Sequence, residues 1–164
     1  MYLIDSNCFI QNYRVYNPMD IALSFWKKIT ELAIDEKFCS IDKVKAELVS
    51  SNDSLSKWIK SLPSSFFKPI SDQELKPYIN EIVPWAVESD YKQAAKDRFL
   101  RAEYADPFLV SYAMEHRNED VVVVTEEVSA KDSRKDIKLP DVCTHFDIRS
   151  IHFVDMLREM GETY

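Results

Sequence analysis

The sequence predicts an α/β fold of three layers, with helices on both faces of a central, mostly parallel sheet of about four strands. Three observations point there. Short apolar runs such as Tyr2-Leu3-Ile4 and Val121-Val122-Val123-Val124 alternate with longer stretches of helical periodicity. The valine run is flanked by charge and shows no polar alternation, as expected of a strand buried on both faces of a parallel sheet. The 164 residues include one glycine, Gly161, where about eleven would be usual. Hairpin turns at positive φ are therefore disfavoured and helix should dominate. The length suits one domain spanning 1–164, large enough to bury a substantial core.

The elements follow in order. Tyr2-Leu3-Ile4 reads as a first buried strand that stops on a carboxylate, Asp5. Asn17-Pro18 supplies a cap and a first-turn proline, and Ile21, Phe25, Ile29 and Leu32 recur at helical spacing, predicting a helix over 18–36. Phe38 to Ile41 is a short strand. Asp42 caps a helix carrying Val44, Glu47 and Leu48. Leu55, Trp58, Ile59 and Leu62 mark a further short helix stopped by Pro63, and Phe66 to Ile70 reads as a strand that Pro69 places at a sheet edge. Asp72 opens a long helical stretch in which Pro77 and Pro84 predict a kink or two pieces. A charged helix spans 90–103, and together these make a helical insert at about 71–103. Ala105-Asp106-Pro107 starts a helix with Phe108, Leu109, Tyr112 and Ala113 as its apolar stripe. After the valine strand come Glu126 and Glu127, a charged loop over 129–138, a short helix from Pro140 to Phe146, and a terminal helix from Phe153 to Met160 closed by Gly161.

Composition removes several function classes. A single glycine cannot build a phosphate-cradling loop, a dinucleotide fingerprint or a nucleophile elbow. Cys8, Cys39 and Cys143 are odd in number and lack a C-x-x-C spacing, which argues against disulfides and structural zinc. They sit beside apolar residues and read as buried fillers. Phe25, Trp26, Trp58 and Trp85 stand at helical spacing and read as core. No apolar run is long enough to span a membrane and the N-terminus carries no leader pattern, so a cytoplasmic protein is expected. With a net charge of −7, contact with nucleic acid has to be local or bridged by metal.

In a parallel α/β sheet, ligands bind outside the carboxyl ends of the strands at a topological switch point. Here that edge receives acids twice, Asp5 after the first strand and Glu126/Glu127 after the valine strand, with Glu47 and Asp106 on nearby helices. Clustered carboxylates repel, and the main use of such a cluster is to hold a hard cation such as Mg²⁺ or Mn²⁺. A cation so held activates water and neutralises charge developing on a phosphate. Each acid also has an ordinary alternative: a turn residue for Asp5, a solvated helix face for Glu47, a helix cap for Asp106 and loop charges for Glu126 and Glu127. Lys131, Arg134, Lys135 and Lys138 follow the valine strand and are placed to hold an RNA backbone, the alternative being a solvated loop. Lys92, Lys96, Arg98 and Arg101 alternate with Asp90, Asp97 and Glu103 and read as an ion-paired surface.

The segments "YLIDSN", "YADPFLVSYA" and "VVVVTEE" resemble those of PIN-domain proteins, in order and spacing over nearly the whole chain. The resemblance implies a metal-dependent ribonuclease, of the kind found as toxins in toxin–antitoxin pairs. It implies metal-binding, catalytic roles for Asp5, Glu47 and Asp106, and supporting, substrate-side roles for Asn7 and Thr125. The fourth acid departs from the family's Thr-x-Asp: Glu127 holds that position, with Asp141 as the alternative. The expected function is hydrolysis of RNA phosphodiester bonds with Mg²⁺ or Mn²⁺. An antitoxin protein and a second copy of the chain are the partners left open. The rival is a PIN-like binding module that keeps the fold, has lost turnover and acts through a protein partner. A small-molecule phosphatase on the same metal logic is a third reading.

Overall fold

Five parallel strands form the sheet of the computed structural model, which describes residues 1–164. They are β1 (Tyr2–Ile4), β2 (Phe38–Ile41), β3 (Phe67–Lys68), β4 (Val122–Val124) and β5 (Arg149–Ile151), in the order β3-β2-β1-β4-β5. Every pairing is parallel, with Leu3 opposite both Cys39 and Val123 and Val124 opposite Ile151. The α/β class and the layered, helix-rich arrangement match the sequence expectation, and the sheet is wholly parallel with one strand more than expected. That strand, β5, is short, has one apolar residue in three and lies at an edge, so its local sequence carries little strand signal.

Nine α-helices connect and follow the strands: α1 (Ser6–Gln11), α2 (Leu23–Ile34), α3 (Asp42–Leu48), α4 (Ser54–Ser61), α5 (Asp72–Glu88), α6 (Gln93–Phe99), α7 (Asp106–Glu115), α8 (Leu139–His145) and α9 (Phe153–Met160). On one face Phe9 of α1, Phe25 of α2, Phe38 of β2, Phe66 and Phe153 of α9 form an aromatic cluster joined by Trp26 and Trp58. On the other face α5 packs along α7, and α7 packs against β4 and α8. Trp26 is buried, Trp58 and Trp85 pack against the core, and the three cysteines are free and buried.

The first helical stretch differs from the expected 18–36. Ser6 to Gln11 is already helical and continues into a π-helical turn at Asn12–Tyr16, while α2 begins only at Leu23. Asn17 is not a cap. It is pinned on Asn12 and gives its carbonyl to the Trp26 indole, and Pro18 closes a turn that accepts the Ile21 and Ala22 amides. Asp42 is the first helical residue of α3 and accepts the Ile70 amide. The strand expected over 66–70 shortens to Phe67–Lys68, at the edge where Pro69 put it.

The two-piece expectation for 72–88 is corrected: α5 runs unbroken past Pro77 and Pro84. Both prolines are exposed, so the carbonyls they orphan can bond water, while Leu75, Ile82 and Ala86 hold the opposite face in the core. The charged helix expected over 90–103 contracts to α6, and the helix expected from Pro140 begins at Leu139. Gly161 ends α9 at φ +70, as expected. With no other glycine, Glu36, Asp120 and Asp147 take the remaining positive-φ turns.

Candidate functional site

The parallel sheet decides where the acids go. Asp5 follows β1 directly, and its amide still bonds Val124 of β4 at 2.9 Å. β1 lies between β2 and β4, so Asp5 stands where the strand order reverses. Helix α3 starts immediately after β2 and carries Glu47 at the same edge. A helix that leads back into a parallel strand must begin at the carboxyl edge; α7 leads into β4, so its first residue, Asp106, lies there too. Glu127 follows β4. Asp5, Asn7, Glu47, Asp106 and Glu127 line one cavity of about 720 Å³.

Each acid is held differently. Asp5 is buried and accepts from the Thr125 hydroxyl at 2.8 Å and from the Ser6 hydroxyl at 3.3 Å. Glu47 accepts the Ala105 amide at 2.8 Å. It therefore caps α7 from outside, where Ala105 has no side-chain oxygen to do so. Asp106 is thus not the cap that an Asp-Pro start suggests. Glu127 accepts the Leu139 amide at the start of α8 at 2.8 Å and pairs with Lys138 at 3.3 Å. Thr125 lies beneath the cavity, binding Asp5 through its hydroxyl proton and accepting the Glu127 amide at 3.1 Å. It positions two of the acids and does not itself line their cavity.

Burial and neighbouring carboxylates both act on these acids. Burial raises the Asp5 carboxyl from 3.8 to about 6; Glu127 and Glu47 push the same way, while the Thr125 hydroxyl and the Asn7 amide oppose them. Asp106, half-buried overall with its carboxyl turned inward, lies well above the usual carboxylate range. Burial is the largest cause, followed by Asp5, Glu127 and Glu47, with Lys138 partly offsetting them. No hydrogen bond is among the influences on Asp106.

The alternatives for the fourth acid separate. Glu126 turns away to accept the Phe153 amide at 3.0 Å at the start of α9. Asp141 binds the Ser129 hydroxyl and the Ala130 amide, fixing the loop after β4. Neither lines the acidic cavity, and Glu127 does.

The four cations of the loop after β4 do not stand together at the cavity. Of Lys131, Arg134, Lys135 and Lys138, only Lys138 reaches the cavity. Arg134 is exposed and lies 3.5 Å from Asp90, and Lys131 and Lys135 are exposed. The loop turns outward because Ser129 and Ala130 are tied to Asp141, while the Arg134 carbonyl accepts the Lys92 amide ahead of α6. Two cations that sequence reasoning missed take its place, Lys43 of α3 and Arg98 of α6. Their local sequence gives no signal, since helix charges of this kind usually face solvent, and only the packing of α6 over the sheet edge brings Arg98 in.

The donors are hard carboxylate oxygens of the kind that Mg²⁺ and Mn²⁺ take. Six carboxylates and three cations line the cavity. The Asp106 oxygens and one Glu47 oxygen are left without a protein donor, whereas both Glu127 oxygens are engaged. No three Asp, Glu, His or Cys groups form a ready-made ligand set for one ion.

The chain belongs to the family described as a domain of unknown function (DUF4411), whose model matches residues 2–164. No curated protein and no solved structure matches it.

Proposed function

We propose that this DUF4411 chain is a metal-dependent endoribonuclease, hydrolysing RNA phosphodiester bonds with Mg²⁺ or Mn²⁺. One observation carries the reading: Asp5, Glu47, Asp106 and Glu127, from four separate segments, meet in one cavity at the strand-order reversal. Asp5, Glu47 and Asp106 would hold the ion, with Glu127 at its border. Such an ion supplies charge neutralisation at phosphorus and an acidified water. Thr125 fixes the Asp5 rotamer, Asn7 borders the substrate side, and Lys138 places positive charge beside Glu127. The resemblance to PIN-domain toxins extends the proposal to a cytoplasmic toxin restrained by an antitoxin protein, with a homodimer as a further assembly.

A second reading has its own support. Glu127 spends both oxygens on α8 and Lys138, and no ready-made three-ligand set exists. These features favour a PIN-like module that binds a protein partner and turns over little. Incubating the purified chain with labelled single-stranded RNA separates the two. The nuclease reading expects cleavage with Mn²⁺ or Mg²⁺, none in chelator, and loss in Asp106→Asn. Absence of cleavage at every metal concentration by a folded wild-type chain would overturn it.

A further inference from the structure

We infer that α6 and the turn leading into α7 form a wall that grips single-stranded RNA, with Arg98 and Lys43 taking backbone phosphates and Tyr104 stacking a base. The inference rests on the ribonuclease reading and names the form of RNA that the cavity accepts. Lys43, Arg98, Tyr104 and Lys138 line the same cavity as the acids.

Arg98 and Lys138 are each paired with a carboxylate, and Lys43 is not. Arg98 pairs with Asp136, and their side chains are 55% and 39% exposed. Lys138 pairs with Glu127 at 3.3 Å. Lys43 stands 4.7 Å above the Phe108 ring and 3.4 Å from the Ala102 carbonyl. An exposed pair such as Arg98–Asp136 contributes little to stability, so exchanging its carboxylate for a phosphate is cheap. Guanidinium, moreover, binds phosphate in a bidentate way.

Tyr104 sits in the turn just before α7 and is 36% exposed at the cavity wall. A partly exposed aromatic side chain on the wall that also carries Lys43 and Arg98 offers a stacking platform for a base. Only an unpaired strand can offer a base face while its backbone runs along the cations, because a duplex keeps its bases stacked inside.

The test is fluorescence anisotropy of a short labelled oligoribonucleotide with the full chain in chelator, set beside Mn²⁺-dependent cleavage. The combined Lys43→Ala and Arg98→Ala variant should reduce the slope of log affinity against log salt by about 0.7 for each phosphate no longer neutralised. Tyr104→Ala should weaken single-strand binding at least about fivefold, Tyr104→Trp should restore it, and duplex binding should not change. Asp136→Asn, which frees Arg98, should tighten binding. A merely structural role for Tyr104 would lower single-strand and duplex binding together, and that result overturns the inference. Cleavage and binding unchanged in all variants would remove the wall and leave the nuclease reading standing. Binding with the expected variant pattern but no cleavage would keep the wall and remove the nuclease reading. No binding by the wild type in chelator would overturn the wall, and absence of Mn²⁺-dependent cleavage beside it would overturn the nuclease reading as well.

Discussion

Changing Asp106 to Asn keeps the shape of the cavity floor and removes one charge from a crowded group. In the metal-free chain burial and crowding act with one sign. Burial, with Glu127 and Glu47 pushing the same way, raises the Asp5 carboxyl to about 6, against an ordinary 3.8. Below the lower value both folded and unfolded chains hold the proton and no cost arises. Between the two values the folded chain binds the proton that the unfolded chain has released, so stability falls as pH rises. Above about 6 the full cost is present, about 3 kcal/mol for a difference of this size. Asp106 is raised in the same direction, so it adds to the same trend. Melting in chelator should therefore rise by several degrees from pH 7.5 to pH 5, since about 1 kcal/mol moves Tm by roughly 2–4 °C in a chain of this size. Asp106→Asn should melt at or above the wild type at pH 7.5 and show a smaller rise toward acid. Its only expected loss is the favourable placement of a carboxylate in the first turn of α7, about 0.3–1 kcal/mol. Mg²⁺ at about 100 times its Kd should stabilise the wild type by about 2.7 kcal/mol and the mutant less. The gain should shrink toward pH 5 as protons compete for the ligands. A wild type in chelator that loses stability steadily from pH 7.5 to 5.5, or an Asp106→Asn chain that melts well below it at pH 7.5, would refute the reasoning.

Two further outcomes follow from particular contacts. Thr125→Val removes the buried 2.8 Å bond to Asp5; it should cost about 1–3 kcal/mol and move the acid limb of any RNA-cleavage profile to higher pH, with Thr125→Ser restoring both. Glu36 sits at φ 54 just past α2, where the Lys37 amide reaches the Leu32 carbonyl at 3.0 Å, so Glu36→Gly should raise Tm by a few degrees, a gain of up to about 1 kcal/mol; an unchanged or lower Tm on heating would show that the left-handed turn carries no strain.

The parts of the structure that the sequence foretold are those whose cause is local. Four valines need burial on both faces, Asp-Pro starts a helix, and an apolar run ending on a carboxylate puts that acid at a strand end. The convergence of Asp5, Glu47, Asp106 and Glu127 follows from parallel topology alone, because β1, α3, α7 and β4 all meet the same edge. What was not legible depends on distant partners. β5 becomes a strand by pairing with β4, and Arg149-Ser150-Ile151 has little intrinsic preference. Helix α5 survives two prolines because both face solvent. Arg98 and Lys43 enter the cavity through the packing of α6 and α3, and nothing near either of them in the chain distinguishes them from surface charges. The loop after β4 looked like a nucleic-acid contact by composition, yet its anchor on Asp141 turns three of its four cations away.

Whether the acidic edge holds a divalent cation is tested most directly by the anomalous density of Mn²⁺ in crystals of the wild-type chain and of Asp106→Asn. A peak is expected in the cavity bounded by Asp5, Glu47 and Asp106, with waters completing its shell, and it should vanish or weaken strongly in the mutant. Mn²⁺ found only elsewhere on the molecule, or a cavity peak of equal strength in both chains, would contradict the metal site.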